Sequence, residues 1–119
     1  MMDRVDAAWL GGLLDGEGCF DSPRGNPRVR VKMSDLDVVL RAARLLNATT
    51  HHEIVEGRKP LLVAQTTGER AVEALSDILP FLGSRRTAKA TEIILAYQER
   101  QKNPSRRVPG LSIVTAEAA

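Results

Sequence analysis

The sequence has a single cysteine, Cys19, so no internal disulfide can form. Such a chain must hold its core without covalent staples, and it suits a reducing compartment. No apolar run approaches the roughly 18 residues needed to cross a bilayer. The N-terminus opens on acidic and mixed residues, which does not resemble a secretory leader. The expectation is therefore a cytoplasmic protein with no membrane partner. There is no internal repeat and no low-complexity tract, which excludes solenoid arrays and biased linkers. Charge of one sign is also scarce in excess: the net charge is +2, with a pI of about 9.0. That balance alone is a weak argument for a polyanionic partner.

What is present fits one globular domain. The chain has 119 residues, 43% hydrophobic and 27% charged, enough to bury a core without metal or disulfide support. The cations are distributed unevenly. Arg24, Arg28, Arg30 and Lys32 fall within nine residues that hold no acidic side chain. Arg85, Arg86 and Lys89 form a second group, and Arg100, Lys102, Arg106 and Arg107 a third. Any one cluster by itself reads as solvated surface.

Local patterns order the elements. Asp3 or Asp6 can cap a first helix from Val5 to about Gly16, with Leu10, Leu13 and Leu14 on one face. Ala8, Gly12 and Gly16 lie along another face that carries almost no side chain. Each glycine costs a helix roughly 0.5–1 kcal/mol relative to alanine, and close approach of a second backbone would offset it. A strand from Cys19 to Asp21 precedes a turn over Ser22–Pro27. Arg28 to Met33 then alternates, with Val29, Val31 and Met33 on one side and Arg28, Arg30 and Lys32 on the other. That period of two predicts a strand with an apolar face and a cationic face, the latter suited to phosphates.

A second helix is predicted from Ser34, whose pairing with Asp37 resembles a capping box, with its stripe at Val38, Val39, Ala42, Leu45 and Leu46. Asn47 suits a left-handed end. His52–Glu56 and Leu61–Thr66 read as a second strand pair joined by Gly57-Arg58-Lys59-Pro60. A third helix begins near Thr67-Gly68 and ends at Pro80. A fourth runs from about Arg85 to Gln101. The reading is an α+β domain over 1–101, in the order αββαββα(α), with a flexible tail over 102–119 in which Leu111–Val114 could add a short strand.

At this point a resemblance becomes visible. In Leu10-Gly11-Gly12-Leu13-Leu14-Asp15-Gly16-Glu17-Gly18, the residues Leu10, Gly12, Leu13, Asp15 and Gly18 match a LAGLIDADG motif, and the other four are conservative departures. With the order of elements, with Val31–Val39, and with Leu79-Pro80-Phe81-Leu82 followed by Arg85-Arg86, the chain resembles the small, single-motif LAGLIDADG homing endonucleases of phages and mobile elements. The resemblance covers about residues 6 to 101.

The resemblance implies an antiparallel sheet forming a DNA-binding saddle, with the motif helix at a dimer interface. One motif per chain implies a two-fold homodimer in which Ala8, Gly11, Gly12, Asp15 and Gly16 meet their counterparts. It implies a metal-dependent double-strand cut in DNA, with Glu17 as metal ligand and a backbone carbonyl near Gly16 as a further one. Paired carboxylates repel unless a cation lies between them, and hard oxygen ligands suit Mg²⁺. Lys32 and Arg85 are the implied cations that balance charge at the phosphate. Arg24, Arg28, Arg30, Lys32 and Gln65 would face double-stranded DNA, with Arg58, Lys59 and Arg86 beside it.

The chain departs from a strong DNA reader in its short strands and in Glu53 and Glu56 on the second strand pair. Two other readings stand beside the endonuclease. One is a protein of this fold that binds nucleic acid without cutting it, as a regulator or splicing helper. The other is a structural or small-ligand α+β domain whose glycines serve packing alone.

Overall fold

The computed structural model describes residues 2–102. Residues 103–119, including Leu111–Val114, Arg106 and Arg107, lie outside the described residues, whereas Lys102, expected to begin the tail, is helical. The first helix, α1, spans Arg4–Glu17, and Asp3 caps it: its carboxylate accepts the Asp6 amide hydrogen at 2.8 Å. Leu10 and Leu14 on its inner face are fully buried. The chain then enters β1 (Gly18–Asp21), passes a 3-10 turn at Pro23–Gly25, and returns as β2 (Arg28–Met33). Helix α2 (Leu36–Leu46) leads into β3 (Thr49–Glu53), β4 (Leu61–Thr67), α3 (Glu69–Ile78), a 3-10 turn at Leu79–Phe81, and α4 (Ser84–Lys102).

The four strands form one sheet in the order β1-β2-β4-β3, with every neighbouring pair antiparallel. Directly opposed residues point to the same face. Phe20, Val29 and Thr66 therefore share one face with Val31, Ala64, Met33 and Leu62. The helices cover that face, and the core joins it to Leu10, Leu14, Val39, Leu75 and Ile78. Each large aliphatic side chain buried there contributes about 1.5–3 kcal/mol. The other face of the sheet carries no helix, although Val63 at its centre is buried among its neighbours.

The predicted elements over residues 1–101 are present, and two of them, α2 and β3, begin at clearly different places. Helix α2 starts at Leu36 rather than Ser34, because β2 runs to Met33 and the chain must turn before it can coil. Asp35 stands at the N-cap without a side-chain bond, so the expected capping box does not form. The third strand is Thr49–Glu53, three residues earlier than the apolar pattern indicated. Asn47 takes the left-handed conformation (φ 51°), and the Ala48 amide donates to the Ala43 carbonyl. The chain is then already extended at Thr49, and pairing with β4 ends at Glu53 opposite Leu61. Ile54 is left 77% exposed in the loop.

Candidate nucleic-acid interface

The uncovered face of the sheet is built from rows of opposed residues. One row crosses all four strands as Cys19, Arg30, Gln65 and Thr49. Beside it lie Asp21, Arg28 and Thr67 on one side and Lys32, Val63 and His51 on the other. The alternation seen in Arg28–Met33 therefore holds, and Arg28, Arg30, Lys32 and Gln65 share this surface. Sequence reasoning missed Asp21, Cys19, Thr49 and His51, whose short strands carry no apolar alternation. Only the register places them.

The cations on this face are partly neutralised. Arg28 meets Asp21 across the strand pair with two bonds, Nε to Oδ1 at 2.8 Å and Nη2 to Oδ2 at 2.6 Å. The hydrogen bond from Arg28 holds the Asp21 carboxyl below its ordinary value of 3.8, against the opposing effect of burial; the charges of Arg28, Arg30 and Lys89 add to the lowering. The same hydrogen bond raises Arg28. Lys32 Nζ lies 3.4 Å from Glu53 Oε1. Among the described residues, no ion pair involves Arg30. Arg24 stands exposed in the β1–β2 turn with φ 55°, and Arg58 and Lys59 are exposed in the β3–β4 loop.

Helix α1 reaches the sheet at its C-terminal end. Glu17 is its last residue and is exposed. A stripe on the outer side of the helix is bare: a Cβ added at Gly12 or Gly16 would meet nothing within 4 Å. Ala8 is exposed on the same stripe, and Val5 at its start is 75% exposed. Trp9 flanks it, stacked under Arg41 at 4.0 Å.

Three of the expected site residues make contacts within their own domain. Gly11 does not face outward with Gly12; it is buried, and a Cβ there would lie 2.7 Å from the Phe81 Cβ. A 100° step per residue turns it toward its own domain. Asp15 is drawn inward as well, its Oδ1 accepting the Gly83 amide hydrogen at 2.8 Å. Arg86, expected beside DNA, donates to the Gly18 carbonyl and lies 5.4 Å over the Phe20 ring. These contacts join the end of α1 to the start of α4. Arg85 remains exposed. A recess of about 630 Å³ opens there, lined by Gly18, Cys19, Phe20, Arg85, Arg86 and Lys89 among others.

No family model matches the sequence, and no curated protein matches it. Solved structures do match. The homing endonuclease I-CvuI in complex with its target, in the presence of Ca, superposes with a TM-score of 0.65 at 18% identity. That match covers 86% of this chain and 73% of the other. I-CvuI with the I-CreI target in the presence of Mg, the DNA not cleaved, gives 0.62 at 18% identity over 87% and 73%. The group I intron-encoded homing endonuclease I-CeuI, complexed with DNA, gives 0.53 at 14% identity over 92% and 64%. The α+β fold is that of the LAGLIDADG homing endonucleases, as the motif implied. Among the described residues, no helix is long and apolar enough to cross a membrane.

Proposed function

We propose that this chain is a site-specific DNA endonuclease that works as a homodimer and makes a divalent-metal-dependent double-strand cut. The observation that carries the reading is one juxtaposition. The bare stripe of α1 ends at an exposed carboxylate, Glu17, directly before β1, in a sheet whose uncovered face bears cations.

The stripe supports the dimer. Ala8, Gly12 and Gly16 leave room for a second backbone, and a second copy offers the matching stripe under two-fold symmetry. Pairing along it would bring the two Glu17 carboxylates toward each other, a repulsive arrangement that a cation relieves. Among the described residues of one chain, no group of three or more His, Cys, Asp or Glu could hold a metal. A site shared between copies suits that donor set. Glu17 and a carbonyl in the last turn, near Gly16, would hold Mg²⁺, whose few protein ligands and retained waters fit so sparse a site. When bound, such an ion supplies an activated water and stabilises the leaving oxygen of a phosphodiester.

The remaining residues bind and orient. Arg85 at the start of α4 and Lys32 on β2 offset charge on the scissile phosphate, Lys32 exchanging Glu53 for it. Arg30 and Gln65 face the groove, and Arg24, Arg58 and Lys59 reach phosphates from loop tips. Cleavage assays separate cutting from binding. Glu17→Gln should keep duplex affinity and lower metal-dependent cleavage more than about 100-fold, since even outer-shell partners of metal ligands are worth 10–100-fold. Cleavage equal to the parent's would remove Glu17 from the site. A parent that binds duplex DNA tightly and never cuts it would leave the binding reading.

A further inference from the structure

The Arg28–Asp21 pair is an odd arrangement for a surface that grips phosphates. A carboxylate on that face repels DNA, and it cancels the charge of the arginine it holds. Charge is therefore not what the pair provides; geometry is. Asp21 takes the Nε and Nη2 hydrogens on one edge of the guanidinium, at 2.8 and 2.6 Å. That fixes the plane of a side chain that otherwise has many rotamers. The end edge, formed by the outward hydrogens of Nη1 and Nη2, carries no protein partner among the described residues. Both side chains are partly open to solvent, at 22% and 35% exposure, so the pair is reachable from the uncovered face.

A guanidinium end edge held in one plane presents two parallel donors. In the major groove, the base edge that offers two adjacent acceptors to such a fork is guanine, through N7 and O6. Adenine offers one acceptor beside a donor, and the pyrimidines do not offer the pair. We propose that Arg28 reads a guanine in each half-site and that Asp21 is a positioning residue that holds it in the reading orientation. Arg30 faces the groove as well but has no such buttress, so nothing holds its guanidinium in one plane. The assignment rests on the DNA-binding reading above and narrows it: this arginine selects sequence, and its neighbours supply affinity.

The test is site selection from a randomised duplex pool with the full chain. The parent should select sites with guanine at one symmetry-related pair of positions. Arg28→Ala should relax that pair and leave the other positions as they were, and Asp21→Asn should weaken the guanine preference about tenfold at similar total affinity. A second measurement needs no variant. Replacing the selected guanine by 7-deazaguanine removes N7 and should weaken binding by the parent about tenfold, and binding by Arg28→Ala hardly at all. If duplex is selected but the position relaxed by Arg28→Ala is not guanine, or 7-deazaguanine binds as well as guanine, the assignment fails while the DNA-binding reading stands. If the parent selects no duplex at all, both fall.

Discussion

At the residue scale, Asp21 is the group whose ionisation the fold most clearly perturbs. Its folded pKa is lowered, first by the hydrogen bond from Arg28. A group depressed in this way stabilises the fold fully above its unfolded value, and the contribution is lost as pH falls through the folded value. The window therefore opens near the ordinary carboxyl value of 3.8 and extends downward. The pair is partly exposed, so its size is that of a surface pair, about 0–1 kcal/mol. Thermal unfolding of Asp21→Asn against the parent should show a loss of that order near neutral pH. The gap should narrow as pH falls below the ordinary value of 3.8, and a gap that persisted in strong acid would assign the loss to packing instead.

At the element scale, α1 presents one packed and one bare face, and neighbouring glycines separate them. Gly11 packs against Phe81 with no room for a methyl group, whereas Gly12 faces open space. Gly11→Val should destabilise each protomer by about 1–3 kcal/mol, the usual cost of overpacking. Gly12→Leu should leave the protomer folded and abolish the dimer by forcing the paired helices apart. Denaturant unfolding reads the first, and light scattering at several concentrations reads the second. A monomeric parent would remove the basis for the paired helices. The start of α4 is the complementary element. Its contacts from Gly83 and Arg86 to Asp15 and Gly18 fasten the end of the motif helix and leave Arg85 outward. The letters of the motif could not separate these roles, because alternate faces of a helix differ by a 100° turn and only the neighbours decide which is covered.

At the scale of the whole molecule, the modest net charge of +2 conceals an uneven distribution. Cations on the uncovered sheet and its loops face away from the core, and two of them, Arg28 and Lys32, are paired with carboxylates. Affinity for duplex DNA should therefore fall with salt, with a slope set by the unpaired cations rather than by all of them. Replacing Arg58 and Lys59 by alanine should reduce the slope of log K against log salt by about 3–4, if both side chains of both copies each neutralise a phosphate. Arg28→Ala should change it much less. A flat salt dependence in the parent would favour a domain whose glycines serve packing alone.

The order of elements, the apolar stripe of α1 and the two faces of β2 were legible in the residues themselves, because helical and strand periods are written in the spacing of apolar residues. The sequence also carried the motif and, through it, Glu17. It misplaced β3, since Ile54 and Val55 look like strand residues, and only the register with β4, which ends at Glu53 opposite Leu61, excludes them. Tertiary structure alone decided that Asp21 meets Arg28, that Gly11 and Asp15 turn inward, and that Arg86 holds Gly18 while Arg85 does not. Each of these rests on register or on a helix contact between distant segments. Such contacts depend on where whole elements come to rest, and no local pattern encodes that.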